Sequence, residues 1–150
     1  MARIYLASSW RNGFHKETLA HLREWGHIVY DFKGVEAMAG GGPVATAFSW
    51  AEIDPEWQTW KPSVYRSRVT THQRAASGFL GDLRGMEWAD TCVLLLPCGR
   101  SAHIEAGYMK GRGKRLVIHY VSDAREEPDL MYLLADQITI GADELRAALQ

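Results

Sequence analysis

Hydrophobic positions in this chain cluster into five short apolar runs, separated by longer stretches with helical periodicity. The first run, Arg3-Ile4-Tyr5-Leu6-Ala7, predicts a strand. Leu19, Leu22 and Trp25 then share one stripe, which predicts a helix over about 12–25 with Gly26 as its stop. His27-Ile28-Val29-Tyr30-Asp31-Phe32 reads as the second strand. The third, Thr91 to Leu96 (TCVLLL), is uniformly apolar between Ala89-Asp90 and Pro97, as expected of a buried strand. Arg115-Leu116-Val117-Ile118-His119 and Gln137-Ile138-Thr139-Ile140 are the fourth and fifth. Helical pattern returns over about 65–89, interrupted near Gly78 and Gly81. It returns again over about 102–110, with Ser101 as N-cap and Gly111 and Gly113 as closure. Short helices at about 129–134 and 142–149 fill the remaining gaps.

Strand and helix alternating about five times predict an α/β fold, a doubly wound five-stranded parallel sheet of flavodoxin-like or Rossmann-like type with helices on both faces. The expected order is 2-1-3-4-5. The switch point then falls between the first and third strands, and ligands bind outside their carboxyl ends. The loops that meet there run over residues 7–13 and 97–105.

Residues 34–65 break the pattern. They contain Gly40-Gly41-Gly42-Pro43, Asp54-Pro55 and Lys61-Pro62, together with Phe48, Trp50, Trp57 and Trp60. A loop this long in a compact domain is functional or disordered, and so many aromatics argue against disorder. The segment reads as an aromatic-rich insertion whose stretch from Phe48 to Tyr65 closes over a ligand, with Gly40-Gly41-Gly42 upstream as hinge and the indole faces as a stacking surface.

Composition narrows the function. The 150 residues, 47% hydrophobic, make one domain over 1–150 without repeats or a linker. Seventeen Lys and Arg against 18 Asp and Glu leave a net charge of −1, which speaks against polymeric nucleic acid or a membrane as partner. No 18-residue apolar run or signal peptide is present. Cys92 and Cys98 span a strand and its exit loop, so they read as free thiols and point to a cytoplasmic location. The six histidines form no ligand pair at helical or hairpin spacing, so no metal or cofactor is expected.

Candidate chemistry gathers at the two loops. Glu105 sits in the first turns of a helix after the third strand, where the dipole should favour its ionised form. Such a carboxylate can act as nucleophile toward an electrophilic sugar carbon. Asp82, ahead of the third strand, is a second carboxylate for the same cleft, although Glu87 and Asp90 are equally acidic neighbours. Ser9-Trp10-Arg11-Asn12-Gly13 joins a hydroxyl, a guanidinium and helix-start amides, which suits a single phosphate group. It is neither a Walker loop nor GxGxxG. His103, two residues before Glu105, faces another direction on the helix, and a hydrogen-bonding or structural role suits it.

These pieces together resemble the nucleoside 2-deoxyribosyltransferase family, and in the loops the related 2′-deoxynucleoside 5′-phosphate N-hydrolases. The resemblance is carried by Ile4-Tyr5-Leu6 with Ser9-Trp10-Arg11-Asn12-Gly13, by Asp82-Leu83 through Ala89-Asp90, and by Ser101 through Glu105-Ala106-Gly107-Tyr108. It covers the first 30 residues and about 80–120, under half the chain. It implies Tyr5, Asp82 and Glu105 as catalytic residues around a glycosidic bond. It also implies Ser9, Arg11 and Gly13 as a phosphate grip. Gly99, Ser101, His103 and Trp50 complete the expected substrate-binding set. Relatives often carry glycine where this chain has His103, which would narrow the pocket or recognise a different substrate. The insertion at 34–65 has no counterpart.

The expected function is cleavage of the N-glycosidic bond of a nucleoside or nucleoside 5′-monophosphate through a Glu nucleophile, by hydrolysis or by transfer of the sugar to another base. A Toll/interleukin-1-receptor-like NAD-cleaving domain and a non-catalytic nucleotide-binding sensor are the alternatives. The resemblance and the six tryptophans also imply a homodimer or higher homo-oligomer.

Overall fold

The computed structural model describes residues 1–34, 42–45 and 47–150. Five parallel strands form one sheet in the order β2-β1-β3-β4-β5. They are β1 (Arg3–Ala7), β2 (Ile28–Tyr30), β3 (Thr91–Leu96), β4 (Arg115–Tyr120) and β5 (Gln137–Ile140). This is the doubly wound order that the alternation predicts. β1 and β3 run in register from Ile4 opposite Thr91 to Ala7 opposite Leu94. Ser8 and the residues after Leu96 therefore leave the same carboxyl edge.

The two-residue period of β1 divides the core. Ile4 and Leu6 pack with Leu19 and Leu22 of α1 (His15–Glu24) and with Leu145 of α5 (Gly141–Ala148). Tyr5 and Ala7 face the other way, against Met86 of α3 (Gln73–Trp88) and Ala102, Ala106 and Met109 of α4 (Arg100–Gly111). β3 is buried along its whole length, which is why its sequence lacks alternation. Each fully buried Leu, Ile or Met contributes about 1.5–3 kcal/mol. Lys114 fastens α3 by donating to the carbonyls of Met86, Glu87 and Ala89, each at 2.6 Å. A cation on the last carbonyls of a helix complements its dipole.

Several boundaries differ from the sequence expectation, each for a local reason. α1 begins at His15, because Asn12 folds residues 12–14 into a turn: its Oδ1 accepts from the Phe14 amide at 2.8 Å. β2 ends at Tyr30, where Asp31 accepts the Lys33 amide at 3.0 Å. The expected break near Gly78 and Gly81 lies instead at His72. That residue is extended and caps α3 by accepting from the Arg74 amide at 3.1 Å, ending α2 (Pro62–Thr71). Gly78 and Gly81 lie inside α3. A Cβ on Gly78 would sit 2.9 Å from Phe48, and one on Gly85 would sit 2.7 Å from the Tyr30 ring. The glycine at 78 therefore serves close approach of the aromatic segment. Ser101 is not the N-cap of α4: Gly99 holds that position, and Ser101 is inside the first turn.

The segment at 34–65 is partly ordered. Short 3-10 turns form at Trp50–Glu52 and Trp57–Thr59, and Pro62 opens α2 as its first residue. Trp50 packs edge-on against Phe48 at 4.8 Å, Trp60 at 6.0 Å and Tyr65 at 5.8 Å. The Trp60 indole donates to Asp54 at 2.8 Å, and Arg74 pairs with Glu52 at 2.6 Å. Of the expected hinge, Gly42 has a left-handed φ of 145°, while Gly40 and Gly41 lie outside the described residues. No described helix is long and apolar enough to cross a membrane.

Candidate active site

A cleft of about 760 Å³ opens at the carboxyl edge above β1 and β3. Four pieces of chain build its walls. The turn after β1 supplies Ser8, Ser9, Trp10 and Arg11; the start of α4 supplies Gly99, Arg100, Ser101, Ala102 and Glu105. α3 supplies Asp82, and the aromatic segment brings Phe48, Trp50 and Trp57. Asn12 ties the first two pieces together, donating to the carbonyls of Leu95 at 3.3 Å and Pro97 at 3.0 Å. Within the turn, the Arg11 amide donates to Ser9 Oγ at 3.1 Å, which orients that hydroxyl.

Asp82 and Glu105 both line the cleft, and their charges act on the Tyr5–Tyr30 pair, whose rings stack at 5.2 Å and 11°. The Tyr30 hydroxyl donates to Asp82 Oδ1 at 3.2 Å. Burial pushes the Asp82 carboxyl up to about 6, against the opposing pull of that hydrogen bond. Glu105 is pushed up to about 8, by burial first and then by the Asp82 charge. The expectation of a fully ionised Glu105 therefore needs correction. It is the sixth residue of α4, beyond the turn where the dipole acts, and burial beside a second carboxylate wins. The Tyr5 phenol is held well above its usual range by burial and by the charges of Glu105 and Asp82. Its oxygen completes no hydrogen bond among the described residues. It nevertheless lies near enough to Glu105 to favour the carboxylate form.

The structure thus gathers Asp82, Glu105, Ser9, Arg11, Gly99, Ser101 and Trp50 around one cavity, while Tyr5 is buried within reach of the two carboxylate charges and does not line it. Two more expected residues fall outside. Gly13 is exposed, and a Cβ built there would meet nothing within 4 Å. His103 turns from the cleft: its Nδ1 lies 2.8 Å from the Gly99 carbonyl, and its Nε2 lies 2.9 Å from the Tyr132 hydroxyl, with the two rings stacked. Trp57 was among the expected stacking indoles; sequence reasoning missed Tyr30 as the partner of Asp82 and the tie that Asn12 makes between the two loops. Tyr30 could have been found from its place at the end of the strand beside the switch point. Among the described residues, no group of three or more His, Cys, Asp or Glu side chains could hold a metal ion.

Sheet order and cleft position are those of a doubly wound α/β fold that takes its ligand at the switch point. Among solved structures, the chain matches the 2-deoxyribosyltransferase of the psychrotolerant bacterium Bacillus psychrosaccharolyticus with a TM-score of 0.64 and 18% identity, over 97% of this chain and 90% of that one. It also matches a CMP N-glycosidase of Clostridium botulinum with a TM-score of 0.49 and 14% identity, over 98% and 97% of the two chains. No protein-family model and no curated protein matches the sequence. The first of these likenesses establishes the fold.

Proposed function

We propose that the protein cleaves the N-glycosidic bond of a nucleoside or nucleoside 5′-monophosphate, with Glu105 as nucleophile. The observation that carries this reading is a half-buried carboxylate pair, Asp82 and Glu105, in a cleft whose other walls are indole rings and a hydroxyl–guanidinium turn. The Glu105 carboxylate attacks the anomeric carbon as the carbon–nitrogen bond breaks, and the base leaves with that electron pair. Asp82 supplies a proton to the departing base or orients the sugar hydroxyls. Attack by water on the glycosyl-enzyme gives hydrolysis; attack by a second base gives transfer. Trp50 and Trp57 offer flat faces for the base, and Ser9, Arg11 and Ser101 suit the 5′ end.

The working form is the pair carrying a single proton. That proton rests on Glu105, the weaker acid, and must reside on Asp82 at the moment of attack. The value of kcat/KM follows the population of the singly protonated pair, a bell between about pH 6 and about pH 8. The exposed Leu130, Leu133 and Ile138 add an apolar surface that suits a subunit contact.

A screen of nucleosides, nucleoside monophosphates and NAD for released base tests the reaction. Glu105→Ala is expected to abolish release while leaving the fold intact. A folded variant that retains more than a few per cent of wild-type turnover removes Glu105 as nucleophile. Binding without any base release would favour a nucleotide sensor.

A further inference from the structure

Ser8, His15 and Asp31 form a hydrogen-bonded chain that the cleavage chemistry does not use. Ser8 Oγ lies 2.5 Å from His15 Nδ1, and His15 Nε2 lies 2.9 Å from Asp31 Oδ1. His15 is buried at the start of α1, with the Phe32 ring edge-on to it at 5.2 Å. Ser8, also buried, lines the cleft beside Ser9 and Arg11. The chain therefore runs from the core to the cleft wall.

Its proton count decides what Ser8 offers a ligand. Burial acts to raise the Asp31 carboxyl, but the hydrogen bonds from His15 and the Lys33 amide outweigh it, and the carboxyl ends below its usual range. An ionised Asp31 keeps a proton on Nε2. When the imidazole is neutral, Ser8 donates to Nδ1 and shows the cleft only lone pairs, which suits a hydroxyl donor. When the imidazole is protonated, Nδ1–H donates to Ser8, and the serine proton is released toward the cleft, which suits an anion.

Two cations act on the Asp31 end of the chain. Lys33 follows β2 and reaches the Trp10 carbonyl at 3.3 Å, and Arg23 lies on α1.

We propose that Ser8, His15 and Asp31 are a proton-coupled selector for the 5′ substituent of the substrate. A nucleoside hydroxyl docks on the neutral chain, whereas a 5′-phosphate dianion docks with uptake of a proton by His15. No covalent step is involved: His15 Nδ1 gains a proton from solvent, and the Ser8 hydroxyl turns from the imidazole to a phosphate oxygen. This rests on the reading of the cleft as a nucleoside or nucleotide site.

Calorimetric titration of the full chain carrying Glu105→Gln, which stops turnover, provides the test. Deoxynucleosides and their matching 5′-monophosphates are titrated in buffers of different ionisation enthalpy, above the second phosphate ionisation. The monophosphate is expected to take up on the order of one proton more than its nucleoside. Comparison of the two ligands cancels any protons exchanged at Asp82. His15→Gln is expected to remove the difference; should that variant not fold, Ser8→Ala serves the same purpose. Equal uptake by the two ligands, or a difference that persists in either folded variant, overturns the selector while leaving the nucleotide site standing. Absence of binding by every pair removes the nucleotide site itself, and the selector with it.

Discussion

Replacing Glu105 by glutamine keeps the shape of the side chain and removes a charge that the fold opposes. In the unfolded chain this carboxyl ionises near 4.5, whereas in the cleft burial and Asp82 hold its proton until about 8. At about 1.4 kcal/mol for each pH unit of that gap, the difference amounts to about 5 kcal/mol. Water entering the cleft relaxes part of it, so this figure is an upper bound. The direction follows from proton linkage. Between about pH 4.5 and about pH 8 the unfolded protein has released the Glu105 proton and the folded protein has not, so stability from this group is full below the window and is lost as pH rises through it. Above about 8 both states are ionised and the loss is complete. The glutamine variant has no such loss. Its advantage over wild type should be small near pH 4.5 and largest near pH 8. Urea unfolding at the two pH values measures it. With a slope of about 1–3 kcal/mol per molar urea, the gap between variant and wild-type midpoints should widen by at most roughly 2–5 M. A gap that stays constant with pH would mean that Glu105 ionises freely in the folded protein, and the argument from burial would fail. The same substitution removes the proposed nucleophile, so the site trades stability for function.

Arg11→Ala should weaken 5′-monophosphates by about ten- to hundredfold more than the matching nucleosides, the worth of a charge-assisted hydrogen bond of ~1.5–3 kcal/mol; equal losses in a binding titration would place Arg11 outside a phosphate site. Tyr30→Phe removes the hydrogen bond that opposes the raised pKa of Asp82, so the acid limb of the kcat/KM profile should move up from about 6 and narrow the bell; an unmoved limb assigns it to another group. Trp50→Leu and Trp57→Leu, which face the cleft, should change base preference, whereas Trp60→Leu, held by Asp54 behind Trp50, should chiefly lower the melting temperature. Gly85→Ala forces a methyl group to 2.7 Å from the Tyr30 ring, and overpacking of this kind costs about 1–3 kcal/mol by denaturant unfolding.

Five apolar runs, of which 91–96 is the most uniform, alternating with helical stretches such as the stripe of Leu19 and Leu22, predict the parallel sheet and its order. Strand type and crossover handedness follow from short-range pattern and chain chirality. The same rules place the cleft, because a doubly wound sheet has one switch point, and Glu105, Ser9 and Arg11 flank it in sequence as in space. Protonation was not legible. A helix-start carboxylate reads as ionised until Asp82, from a helix distant in sequence, and the buried Tyr5–Tyr30 pair are placed beside it. His103 enters the expected substrate-binding set through the resemblance, while its spacing from Glu105 favours a hydrogen-bonding role; its ring is claimed by Tyr132, and only tertiary packing brings that partner within reach. Gly78 reads as a helix breaker, but Phe48 needs the space its missing side chain leaves. The link from Ser8 through His15 to Asp31 joins β1, α1 and the end of β2 and has no signature of spacing. The sequence by itself determined strands, order and the edge at which chemistry can occur, since these depend on local pattern. The charge, orientation and neighbours of each side chain depend on desolvation and contact across distant segments, and those the tertiary structure alone decided.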